Sequence, residues 1–301
     1  MNPFDGMPCS AAAADIPLPG TATHVTGWLG IEHPGAWGRD VIGDEVLGAE
    51  VTAELAARAA AAKVRPTLIR RPGRNEFTGR RTVLLARTTA EGAWCERFEI
   101  GDLSELSAVD LRAVAGPPPG IGARVRDPIA LVCAHGKRDQ CCARLGRPVA
   151  AALSAAYPDR VWECSHTGGH RFAPAMVLLP SGLTYGRVDA AAAAAAMEAA
   201  GAGRVSPTGL RGRSGYAPLA QLAEIAVRGQ VPAALDDLLV RPDPDWSDPD
   251  PAYAGAAVVT HRDGRAWRVT ARTVALAPRQ ASCGAAPKPA TTLELACLTP
   301  L

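Results

Sequence analysis

The stretch PIALVCAHGKRDQCCARLGRPVAAALSAAYPDRVWEC, residues 128–164, decides how the chain is read. It opens with an apolar run at 128–134, too short for a helix and best placed as a buried strand. A helix over 142–157 follows, with Leu145, Val149 and Leu153 on one face, and then a second apolar run, VWEC. Cys133 stands at the end of the first strand and Cys142 where the helix begins, with eight residues between them. A strand-to-helix loop is where an α/β fold displays chemistry, and a helix N-terminus favours a thiolate.

Working outward, AMVLLP (175–180) and LTYGRV (183–188) read as two further strands joined at Ser181-Gly182, and 189–200 reads as an alanine-rich helix. The order strand, helix, strand, strand, strand, helix is that of a minimal thioredoxin-like unit. The same order precedes it. HVTGWLGIE (24–32) is a strand and Asp44 to Lys63 a helix, on the recurrence of Leu47, Val51 and Leu55. RPTLIRR, TVLLARTT and WCERFEI are strands, and 102–114 is a helix opened by Asp102 and Glu105 in a capping-box spacing. GPPPG (116–120) is the strongest break in the pattern. The expectation is an α/β (α+β) chain of two related units: 1–115 without a cofactor, and 121–301 with its core at 126–203 and a C-terminal extension. In that extension, 214–229 reads as a helix, 243–251 as a solvated acidic turn, and 255–273 as a hairpin around Asp263-Gly264.

The loop after VWEC carries His166 and His170, separated by Thr167, Gly168 and Gly169. On a helix this spacing would be a plain zinc pair, but the glycines point to a loop wrapped tightly around something. Single cysteines are usually small buried hydrophobes, which is the reading for Cys9, Cys95, Cys164 and Cys297. His24, His33 and His261 read as structural or surface residues. Two cysteines and two histidines in two loops, each following a strand, form a metal site by comparison. Cys141 beside Cys142 is ambiguous: a ligand, a spare thiol or a buried side chain. Two thiolates and two imidazoles suit tetrahedral zinc or a [2Fe–2S] cluster, and spacing does not choose.

Composition limits the alternatives. The chain has 32 basic and 30 acidic residues in 301, a net charge of +2, so bulk charge implies no nucleic-acid or membrane partner. Neither a signal-peptide pattern nor an apolar run long enough for a membrane span is legible, so a cytoplasmic location is expected. There clustered thiols more often mean metal or redox chemistry than structural disulfides. No loop presents a carboxylate pair of the kind glycosidases use.

HGKRDQCC, WECSHTGGHRFA, LPSGLTYGRV, WLGIEHPGAWGRD (28–40) and SCG (282–284) together resemble the sucrase/ferredoxin-like family, in order and over nearly the whole chain. The resemblance implies a [2Fe–2S] cluster held by Cys133, Cys142, His166 and His170, in the manner of thioredoxin-like ferredoxins whose second cysteine pair is replaced by His-x3-His. It implies an electron carrier with a raised potential, coupled to protonation of an imidazole. Lys137, Arg138, Arg144, Arg147 and Arg171 would then attract an acidic redox partner, and Asp139 would support the ligands. A thiol oxidoreductase using the 133–142 cysteines and a zinc-stabilised binding module stay open. An echo of the cysteine loop, His33-Pro-Gly and Gly38-Arg39-Asp40, follows the first strand without a cysteine.

Overall fold

The computed structural model describes residues 4, 6–73, 77, 79–247 and 253–301. The chain is α/β. The first half builds β1 (Gly27–Glu32), α2 (Ala49–Ala62), β2 (Val64–Arg70), β3 (Arg81–Arg87) and β4 (Trp94–Ile100), after a four-residue helix α1 (Cys9–Ala12). The short β5 (Ala123–Arg124) pairs with β4. The second half builds β6 (Ile129–Cys133), α3 (Gln140–Ala156), β7 (Val161–Cys164), β8 (Ala175–Leu179), β9 (Leu183–Gly186) and α4 (Ala190–Gly201).

In each half the first two strands are parallel and the next two add antiparallel. β1 lies between β2 and β3, with β4 outside. β6 lies between β7 and β8, with β9 outside. That is the thioredoxin-like strand order, twice. The halves share one ten-stranded sheet, which runs β10-β9-β8-β6-β7-β2-β1-β3-β4-β5, where β10 is Leu210–Arg213. They join through an antiparallel overlap of only two pairs, Ile69 with Cys164 and Arg70 with Glu163. Because the overlap is confined to strand ends, the loops leaving β1, β6 and β7 all emerge at this seam.

Three local expectations are corrected. The helix expected from Asp44 starts at Ala49, because Gly48 sits at φ 91°, outside helical space. Asp44 instead accepts from the backbone N–H groups of Arg39 and Asp40 and closes the loop before the helix. The helix expected over 102–114 is two 3₁₀ turns, Leu103–Ala108 and Leu111–Ala115. Val109 between them is extended, and Asp102 and Asp110 each cap a separate turn. Finally, Leu145 is exposed. The inward face of α3 is Cys142, Gly146, Val149 and Leu153, because an added Cβ at Gly146 would stand 2.1 Å from the Cys133 carbonyl oxygen, so only glycine lets the helix lie this close to β6.

The C-terminal region adds α5 (Pro218–Arg228) and a four-stranded antiparallel sheet of β11 (Leu238–Pro242), β12 (Tyr253–His261), β13 (Ala266–Arg279) and β14 (Lys288–Pro300). Ala223 and Val227 of α5 pack on Leu238, Val259, Trp267 and Val269. The acidic stretch 243–251 lies partly outside the described residues, from 248 onward. The loop joining β13 to β14 carries Cys283 back to the start of α3. Among the described residues no helix is long and apolar enough to cross a membrane.

Candidate metal centre

Cys133 ends β6, where pairing with β7 sets it beside Cys164. Cys142 lies in the first turn of α3, whose N-cap is Asp139; its carboxylate accepts from the Cys141 N–H at 2.9 Å. Both sulfurs are buried. Hydrogen bonding from Cys142, then burial acting in the opposite sense, then His166 act on Cys133, and the balance holds it well below the ordinary thiol range. Cys142 is pushed up, chiefly by Cys133.

His166 Nδ1 lies 4.0 Å from Cys133 Sγ. Donor atoms of Cys133, Cys142 and His166 fall within 4.8 Å of one another. His170 is beside this group rather than in it: its ring stacks on that of His166, with centroids 4.9 Å apart. Its Nδ1 is buried and has no hydrogen-bond partner, while Nε2 meets the Ala281 carbonyl oxygen and stands 4.0 Å from an Asp139 oxygen. Burial lowers the basicity of His170, and Asp139 opposes that effect.

The first half of the chain supports the histidine loop. Ser165 N–H donates to the Leu68 carbonyl at 2.7 Å, and Leu68 N–H donates to the Ser165 hydroxyl at 3.0 Å. Arg65 donates to the His166 carbonyl at 2.9 Å. His135, not singled out from the sequence as a site residue, accepts from the His166 N–H on Nδ1 and donates from Nε2 to the Gly38 carbonyl. Trp37 packs edge-on against the His135 ring. The loop carrying the echo of the cysteine motif is therefore a buttress for the second loop.

Arg211 was also not legible as a site residue. It is 1% exposed and donates to Thr21 and to the Gly168 carbonyl. Among the described residues it has no carboxylate partner. A buried cation without a counter-charge is costly. Burial lowers its pKa to about 9, while Cys133 and Cys142 pull the other way.

Gly168 and Gly169 adopt φ of +99° and +73°, and a Cβ would stand 1.8 Å from the Thr23 hydroxyl or 2.3 Å from an Arg211 nitrogen. Gly169→Ala is expected to cost at least about 1–2 kcal/mol for the left-handed backbone alone and to displace Arg211. Denaturant unfolding of the variant against wild type checks this; unchanged stability would refute the tight-loop account.

Of the five expected basic residues, Lys137 and Arg147 line a groove with Trp37, Arg70 and His135. Arg138 borders a smaller one, of about 140 Å³, with Arg39, Arg65 and His166. Arg171 lies apart, with Arg279. Asp139 caps α3 and touches a second group of sulfurs from Cys9, Cys141 and Cys283. Cys95 and Cys164 are buried, as is Cys9, and burial raises all three thiols. His261, taken as structural or exposed, is buried and paired with Asp263 at 2.8 Å.

Residues 18–212 match the family model described as sucrase/ferredoxin-like. No curated protein and no solved structure matches the chain.

Proposed function

The chain belongs to the sucrase/ferredoxin-like family, and on that premise we propose that it is an electron-transfer protein holding a [2Fe–2S] cluster through Cys133, Cys142, His166 and His170. The observation that carries this reading is the convergence of the Cys133, Cys142 and His166 donors, with the buried, unpartnered Nδ1 of His170 beside them. A polar atom buried without a partner asks for one, and a metal at that nitrogen supplies it.

The cluster supplies a site that takes up and releases single electrons. The chain's own residues do the rest. Cys133 and Cys142 bind as thiolates, and Arg211 from the buried side and Arg65 from the groove offset their charge. His135 and Arg65 grip the backbone of His166 and set the ring's position. The Ala281 carbonyl holds the proton on Nε2 of His170, which directs Nδ1 inward. Burial of both sulfurs excludes water and disulfide substrates alike, which argues against a thiol oxidoreductase at this pair. Lys137, Arg138, Arg147 and Arg39 border the approach, and we propose that an acidic redox protein docks there.

The test is composition. Protein made under iron-replete, anaerobic conditions is expected to contain about two irons and two sulfides per chain and to give an EPR signal on reduction. Zinc in place of iron at Cys133, with no sulfide, would sink the proposal.

A further inference from the structure

The second group of sulfurs is built from three distant parts of the chain. Cys9 comes from α1, Cys141 from the first turn of α3, and Cys283 from the loop between β13 and β14. Their sulfurs are separated by 3.7 Å (Cys9–Cys141), 3.6 Å (Cys9–Cys283) and 3.2 Å (Cys141–Cys283). The Asp139 oxygens lie 3.5 and 3.6 Å from the Cys9 sulfur. All four donors fall within 4.8 Å of one another.

We propose that Cys9, Cys141, Cys283 and Asp139 form a second metal site, for a single thiophilic divalent ion of the zinc class. The distances carry the assignment. In a tetrahedral zinc site with bonds of about 2.3 Å to sulfur and about 2.0 Å to oxygen, neighbouring donors stand about 3.8 Å apart for two sulfurs and about 3.5 Å for sulfur and oxygen. The sulfur–sulfur edges of 3.2 to 3.7 Å and the Asp139–Cys9 separation of 3.5 Å lie at or below those of such a tetrahedron. They are too short for sulfurs that each hold a different iron of a cubic cluster.

Charge points the same way. The Asp139 side chain is fully buried and, among the described residues, pairs with no lysine or arginine; His170 at 4.0 Å is its nearest basic group. A buried carboxylate beside three thiols lacks a cation, and a divalent ion provides it. Hydrogen bonds already hold the donors in place. Asp139 accepts from the Cys283 N–H at 2.8 Å and the Ser282 hydroxyl at 3.0 Å, Ser10 donates to Cys141 Sγ at 3.3 Å, and the Cys9 N–H donates to Cys283 Sγ at 3.4 Å. Such outer contacts orient metal ligands.

A disulfide explains less. Joining Cys141 to Cys283 would leave the Cys9 thiol and the Asp139 carboxylate buried together with no counter-charge. Cys9 and Cys283 lie outside residues 18–212, so two of the four donors come from chain that the family match does not cover. Its ion would fasten the N-terminal segment and the β13–β14 loop to the start of α3.

The experiment measures zinc and iron by elemental mass spectrometry in the full chain, purified anaerobically from zinc-supplemented cultures, as wild type, Cys133→Ser and Cys283→Ser. Cys283 is only partly buried, and circular dichroism checks that its variant folds. The Cys283→Ser protein is expected to hold one zinc per chain fewer than wild type, with its iron unchanged. Cys133→Ser is expected to lose the iron and keep that zinc. Cobalt(II) added to metal-stripped Cys133→Ser protein should give tetrahedral ligand-field bands with thiolate-to-cobalt charge transfer, abolished by adding Cys283→Ser. Zinc content unaffected by Cys283→Ser, zinc that disappears only with Cys133, or a Cys141–Cys283 disulfide in protein never exposed to oxidant would each overturn the assignment. The readout survives failure of the cluster proposal, because the zinc difference between wild type and Cys283→Ser does not depend on iron.

Discussion

Cys133→Ser and Cys142→Ser are each expected to lose essentially all of the proposed cluster's iron and sulfide, from about two of each per chain, whereas Cys141→Ser is expected to keep both. Adjacent residues on a helix are about 100° apart around its axis, so Cys141 and Cys142 address different neighbours. Cys142 turns towards Cys133 and His166, and Cys141 turns towards Cys9 and Cys283. Serine at 133 or 142 offers a hydroxyl that stays protonated where a thiolate is required. With the proposed thiolate at Cys133 removed, the charge of Arg211, which is 1% exposed, is offset less. Lower thermal stability in that variant is therefore expected beyond the loss of the ligand. Iron and sulfide assays with visible absorption decide the matter. Bleaching by Cys141→Ser together with retention in Cys142→Ser would move the cluster to the neighbouring thiol group and reverse both metal assignments.

Apart from 102–114, which forms two 3₁₀ turns instead of a helix, the strands and helices of both halves were legible because their signals are local. Val, Ile and Leu runs bounded by Gly and Pro mark β1 to β4 and β6 to β9, and the repeat of order suggests the duplicated topology. The two-pair seam between β2 and β7 was not legible. It joins residues about ninety positions apart, and nothing in either strand's composition marks it as an inner edge. The same limit applies to β14, whose threonines and alanines lack alternation, and to β10, which reads LRGR. At the site, the four residues carried over from the family resemblance stand out as paired motifs. Cys9 and Cys283 do not, because each is a single cysteine in its own neighbourhood, and a single buried thiol is ordinarily just a small hydrophobe. Arg211 and Arg65 look like any strand arginine until burial removes the solvent that would balance them. His135 was visible only as part of an echo, and its work is done through the backbone of His166.

Replacing either histidine by cysteine is expected to lower the midpoint potential by on the order of 100 mV or more, since mixed histidine–cysteine clusters run at about −150 to +300 mV and plant-type ferredoxins at about −400 mV. The reason is charge. Two thiolates and two neutral imidazoles leave the oxidised centre neutral, and each exchange for thiolate adds one negative charge, so an arriving electron is repelled more strongly. Arg211 and Arg65 act in the opposite direction. Both histidines should also tie the potential to pH. Reduction raises the pKa of the ligand nitrogen that is not on iron, and between the oxidised and reduced values one electron brings one proton, a slope of about 59 mV per pH unit. Nε2 of His170 meets the Ala281 carbonyl, with Asp139 at 4.0 Å. His166→Cys and His170→Cys should each lower the potential and weaken this slope, since a thiolate adds charge and carries no such proton. The exposed His24 is the control, and its replacement should change neither. Redox titration of the four proteins across the pH range measures both quantities together. A wild-type midpoint that is flat from about pH 5 to 10, with cluster spectra unchanged in both histidine variants, would remove the histidines from the metal.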